Sequence, residues 1–229
     1  MSLSRRVVFL AAALAATVAA QDQGTIVGEM RARKPARPYV VLWRFVCAGS
    51  GTTPEDLEHD LAEARGVYAA CGLDLRAEAP QEIAWDDGAD APCRLGDDRD
   101  SKTPTPGQFA LFARYNRPEE GLGVFYLSSR AGPDGATTAG TSFTSDSVRT
   151  MKADAPDAER ALGAVVVFSE ARHFTGKPYV LAHELGHVLL DDGSHRKEKS
   201  NLMHGWDGGS HLDDAQCLTI RASPFVRHD

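Results

Sequence analysis

The stretch HELGHVLLDDGSH, residues 183–195, constrains this chain more tightly than any other. On an α-helix, residues four apart share a face. His183 and His187 can therefore aim ring nitrogens at one point, each about 2.0–2.1 Å from a shared ion. Glu184 lies one step round the helix, outside that facet but within reach of a water on the ion. Val180, Leu181, Leu185 and Val188 cover other parts of the same helix, which suits anchoring in a core. An H-E-x-x-H helix placed after a buried strand points to a zinc centre rather than to histidines on a solvated face. A centre that does chemistry takes three protein ligands and keeps one corner open. His195 is the first histidine beyond the helix, and Gly193 permits the positive φ that ends a helix and turns the chain. Asp191, Asp192, His204 and His211 are the alternative third ligands. Gly186 is expected to let a strand or a substrate backbone approach closely. His59, His173 and His228 have no partner pattern.

The first twenty of the 229 residues read as an export signal. Arg5 and Arg6 precede an apolar run from Val7 to Val18, and Val18-Ala19-Ala20 offers small residues for cleavage before Gln21. The run falls short of the roughly 20 apolar residues that span a bilayer. Its removal leaves 209 residues, a size for one domain with a real core. It also removes two arginines and no acid, which takes the formal charge from −7 to −9. An acidic chain with scattered lysines is a poor candidate for nucleic acid, so none is expected as a partner. The expectation is a secreted or periplasmic protein, monomeric, with no stable hold on a membrane once the signal is gone. Residues 21–37 read as a flexible lead or short pro-segment, and 38–229 as a single domain.

Residues 38–47, PYVVLWRFVC, form a β-branched and aromatic run, a buried strand. A helix follows, with Thr53 as N-cap, Pro54 at its first position and Glu55 and Asp56 at the positive end of its dipole. Leu57, Leu61, Ala64, Tyr68 and Cys71 make one apolar stripe, and Gly72 ends the helix. LDLRAEA, 73–79, is a half-exposed strand, which completes a βαβ unit with parallel strands. Residues 86–107 read as a long acidic loop. Its Asp86, Asp87, Asp90, Asp97, Asp98 and Asp100 lack EF-hand spacing, so calcium is possible there but unsupported. GQFALFARYN is a short helix, LGVFYLSS a strand, GATTAGTSF an extended sheet edge, and GAVVVFSEA a central strand. The zinc helix starts at about Pro178. A C-terminal helix, 213–222, carries Ala215, Leu218 and Ala222 on one face.

Four cysteines in an exported chain suggest two disulfides. Cys47 ends the first strand and Cys71 ends the returning helix. A helix of that length spans roughly 25 Å, far beyond bridging distance. The second strand carries the chain back toward Cys47, which selects Cys93 as its partner and leaves Cys71 for Cys217.

HELGH, then a glycine and a third histidine, then Asn201-Leu202-Met203, resembles the metzincin zinc peptidases. Their pattern is H-E-x-x-H-x-x-G-x-x-H followed by a methionine turn. The order of strands and helices over residues 38–225 resembles theirs as well, though only the zinc region is specific. The resemblance implies an α+β catalytic domain: a twisted, mixed, mostly parallel sheet with a long helix and an active-site helix packed on it, then a C-terminal helix. It implies a zinc-dependent endopeptidase with His183, His187 and His195 as ligands and Glu184 as general base. Met203 would lie beneath the metal as a hydrophobic base, and a protein or peptide substrate would pair with the sheet edge near Gly135–Phe143. The chain departs from the pattern. The family's glycine falls at Leu190 and its third ligand at Gly193. Gly205 stands where many relatives carry a tyrosine, and His204 or Trp206 either lines the cleft or packs. Two rival functions are a non-catalytic secreted binding module stapled by zinc and a zinc hydrolase of a non-peptide substrate.

Overall fold

A computed structural model describes residues 36–84, 93–95, 106–129, 139–151, 158–168, 179–205 and 208–229. The first apolar run is strand β1 (Tyr39–Cys47). Helix α1 (Pro54–Ala70) follows, and its start is chemically specified. The Asp56 amide donates to the Thr53 hydroxyl at 3.2 Å, and the Thr53 amide donates back to the Asp56 carboxylate at 3.0 Å. Such reciprocal caps satisfy two backbone donors that the helix itself leaves without partners. Cys71 caps the other end, and Gly72 takes φ 71° to release the chain. The stripe from Leu57 to Cys71 is buried throughout.

Strand β2 (Asp74–Ala77) returns parallel to β1, so the strand–helix–strand unit stands as read. Two short strands, β3 (Gln81–Ile83) and β4 (Arg94–Leu95), carry no pattern of their own. They pair with β1 and with β5 (Leu122–Ser129) respectively. Before β5 comes helix α2 (Pro106–Tyr115). Strand β6 (Gly140–Ser142) and helix α3 (Ser145–Met151) precede β7 (Val165–Phe168). Helix α3 was not expected, because its seven residues carry too short a pattern to register.

The main path of the sheet runs β2-β1-β5-β7-β6. Every pairing is parallel except β6 with β7. Strand β7 is VVVF with all four residues buried, as a parallel strand covered on both faces requires. Helix α4 (Val180–Leu190) packs against α1, β6 and β7, and helix α5 (Asp214–Arg221) packs against α4. The result is a mixed, mostly parallel sheet with helices on it. Residues 37–229 form one compact unit. The aspartates named for calcium, and residues 1–35, read as an export signal and most of the lead, lie outside the described residues. Among the described residues no helix is long and apolar enough to cross a membrane.

The C-terminal helix corrects one expectation. Ala215, Leu218 and Ala222 face outward, with Leu218 62% exposed. Gln216, Cys217 and Ile220 are the buried residues. Two bonds turn the helix this way. Cys217 is joined to Cys71, and Gln216 is hydrogen-bonded to Asn201. The second disulfide joins Cys47 to Cys93, so both pairs are those selected by the strand–helix–strand path. Two disulfides fit an oxidising compartment.

The Cys71–Cys217 bridge spans 146 residues and should restrict the unfolded chain strongly. Replacing both cysteines by serine is expected to cost about 3 kcal/mol. Urea unfolding followed by circular dichroism measures this, and an unchanged midpoint would remove the bridge from the stability argument.

Candidate metal centre

Helix α4 begins and ends on residues in left-handed conformation. Tyr179 (φ 66°) precedes it without a side-chain cap, and its amide donates instead to Glu63 on α1 at 3.2 Å. Asp191 (φ 51°) ends it. The turn was expected at Gly193, yet Gly193 has no positive φ. Aspartate tolerates this region better than most residues, and here its carboxylate accepts the Ser145 amide at 2.7 Å. That bond occupies one candidate third ligand. Asp192 is occupied too: it accepts the Ser194 amide at 2.8 Å and faces Arg196 at 3.9 Å. The Ser194 hydrogen bonds hold the Asp192 carboxyl below the ordinary carboxylate range.

The chain then delivers His195 to the face of α4. Nε2 of His187 lies 3.1 Å from Nε2 of His183, which lies 3.3 Å from Nε2 of His195. Among the described residues these three form the group able to share an ion, with donor atoms all within 4.8 Å of one another. His204 and His211 are not in it. His211 serves the loop through its backbone, accepting from the Leu202 amide at 2.8 Å. His59 pairs with Glu63 at 3.3 Å, while His173 and Trp206 lie outside the described residues.

The rings also face the right way chemically. Nδ1 of His183 lies 2.6 Å from the Leu202 carbonyl, and Nδ1 of His187 lies 2.6 Å from the Asp192 carbonyl. A carbonyl can only accept, so both Nδ1 atoms carry the proton and both Nε2 atoms present lone pairs. Two lone pairs at 3.1 Å repel unless a cation lies between them. Ligands in tetrahedral directions about 2.0–2.1 Å from an ion sit about 3.3 Å apart. The donor set therefore fits zinc. Burial holds the His187 ring below the ordinary imidazole range, and His195 pushes the same way against the Asp192 carbonyl. The neutral, ligating form is the one favoured.

Met203, next to the Leu202 that receives His183, is only 1% exposed. Its amide donates to the Asn201 side chain at 2.9 Å, and Asn201 donates to Gln216 of α5 at 2.8 Å. A Cβ added to Gly186 would lie 2.5 Å from the Met203 sulfur. Gly186 therefore makes room for the methionine, not for a substrate backbone as expected. Tyr68 of α1 closes the floor: it is fully buried, and its hydroxyl donates to the Ala182 carbonyl at 2.8 Å. Burial pushes its phenol well above the usual range.

Glu184 is 8% exposed, and the Ser142 hydroxyl donates to its Oε2 at 2.8 Å. A Cβ at Gly140 would fall 2.8 Å from the Glu184 Cγ, so this glycine gives the carboxylate its space. Gly205 does the same for His195, since a Cβ there would lie 3.1 Å from both Cγ and Nδ1 of the ring. Sequence reasoning missed Ser142, Gly140 and the Asn201–Gln216 pair as parts of the site. Each acts across a contact distant in sequence, which no local pattern records.

Three histidines that could share an ion thus lie on and just beyond a helix packed on a mixed, mostly parallel sheet. No family model matches this sequence, and no curated protein matches it. Solved structures do match the fold. One of them is metalloproteinase-II from Bacteroides fragilis, at a TM-score of 0.51 and 12% identity. The match covers 83% of this chain and 54% of that one, so this chain spans about half its length. The fold is metalloproteinase-like at the coarse level.

The packing of Gly205 on His195 is testable through metal affinity. Gly205→Ala is expected to weaken zinc binding about tenfold in competition with a chelator. Gly193→Ala, with nothing within 4 Å of the new Cβ, should leave it unchanged. Equal affinities in the two variants would contradict the packing account.

Proposed function

We propose that this chain is a secreted zinc-dependent endopeptidase of metzincin type. The observation that carries the reading is the convergence of three imidazole nitrogens beside a buried carboxylate on the same helix. His183, His187 and His195 would hold the metal. A zinc ion bound there supplies a Lewis acid for the scissile carbonyl and a water of pKa near 7. Glu184 takes the proton of the attacking water and passes it to the leaving amine. Met203 forms the apolar floor.

Strand β6 suits a peptide substrate. The Phe143 amide and the Ala139 carbonyl bond to the β7 side. By antiparallel alternation, the backbone groups of Gly140 and Ser142 point to the outer edge. An extended peptide could add there by main-chain pairing, with little demand on its side chains. Departures from the metzincin pattern have a common cause in this geometry. Helix α4 is still helical at Leu190, the family's glycine position, and turns at Asp191. His195 then approaches over Gly205, where a tyrosine would collide with its ring.

A zinc-stapled binding module would need a fourth protein ligand and no base. The metal-competent group among the described residues has three histidines, and Glu184 is seated by two residues of β6. Both features favour an enzyme. The export signal and two disulfides support secretion, and the acidic charge argues against nucleic acid. A monomer acting on protein or peptide completes the proposal.

The test is a peptide library digested with and without a zinc chelator. Cleavage that the chelator abolishes is expected. Glu184→Gln should retain zinc by elemental analysis yet lose at least about a thousandfold in kcat/KM. Undiminished cleavage by that variant would refute the assigned base.

A further inference from the structure

Strand β6 meets α4 through one side chain that the mechanism above does not use. Ser142 and Gly140 are two apart on the strand, so both face the same side of the sheet, and that side carries Glu184. Gly140 leaves the space, while the Ser142 hydroxyl donates to Oε2 at 2.8 Å. Glu184 sits on a helix face and has two flexible torsions before its carboxylate. The helix alone does not choose among their rotamers. The hydroxyl at 2.8 Å favours the one rotamer that keeps Oε2 beside it.

We propose that Ser142 is a positioning residue for Glu184, tying the carboxylate to the strand that receives the substrate. This rests on the peptidase reading. By the same alternation the backbone N–H and C=O of Ser142 point away from β7, while its side chain points to Glu184. A peptide hydrogen-bonded to the main chain of Ser142 is thereby fixed in register with the base through a single residue. Ser142 keeps its own proton throughout. The transferred proton leaves the attacking water, resides on the Glu184 carboxylate and departs on the amine nitrogen; the water oxygen bonds to the carbonyl carbon, and the C–N bond breaks with its electron pair staying on nitrogen. The contribution of Ser142 is orientation, which appears in the chemical step and not in substrate affinity.

The experiment compares wild type, Ser142→Ala and Ser142→Thr, each loaded with zinc. Zinc content and thermal midpoint should be equal in all three. In Ser142→Ala, kcat should fall about tenfold while KM stays within about twofold. Ser142→Thr, which keeps the hydroxyl, should recover most of the loss. Crystal structures of the two variants supply a reading independent of activity: the Glu184 carboxylate should turn away or spread over several conformers in the alanine variant, and return with threonine. A carboxylate that stays in place without the hydroxyl overturns the proposal. So does an unchanged kcat, or a threonine variant that matches alanine in both readings. Failure of the zinc-loaded wild type to cleave any peptide would overturn the peptidase reading instead, and the carboxylate position in Ser142→Ala would still decide the role of Ser142.

Discussion

The candidate metal centre depends on two hydrogen bonds made on the far side of its rings. The Leu202 and Asp192 carbonyls take the Nδ1 protons of His183 and His187, and this alone decides that Nε2 of each ring is a donor of electrons. One carbonyl comes from the turn just beyond α4, and the other from the loop that carries Met203. The centre is therefore not a property of the helix by itself. It requires the chain to leave the helix at Asp191, bring His195 to its face, and return with Leu202 to His183.

That return is held from below by connected supports. Asn201 fixes the Met203 amide, Gln216 fixes Asn201, and the adjacent Cys217 is bonded to Cys71 at the end of α1. The same α1 sends Tyr68 up to the backbone of α4. A polar pair as buried as Asn201 with Gln216 would be costly if either partner were unmatched. Here each side chain both donates to and accepts from the other. The C-terminal helix thus orients its polar and sulfur-bearing face inward and leaves Leu218 outside, against its apolar pattern.

Features set by local chemistry were legible in the sequence. The N-cap and proline of α1, the glycine that ends it, the apolar stripe, and the all-buried VVVF strand each follow from neighbours within a few residues. The His183–Glu184–His187 spacing belongs to the same class. What escaped reading depended on residues far apart. The left-handed residue proved to be Asp191 because Ser145, 46 positions earlier, offers its amide to that carboxylate. Gly186 serves Met203, Gly205 serves His195, and Gly140 serves Glu184. In each case the glycine marks a close approach, but the sequence does not say by what. The outward face of α5 runs against its apolar pattern because the Cys71–Cys217 bond overrides hydrophobicity.

The bridge from Cys71 to Cys217 encloses the strands β5, β6 and β7, the helix α4 and the whole histidine cluster within one covalent ring. A single cut in any loop inside that ring opens it without separating the pieces. For a chain read as one that severs peptide bonds, this is a form of insurance against itself. A molecule nicked by a neighbouring copy stays one connected body, and its two halves can close again over the same centre.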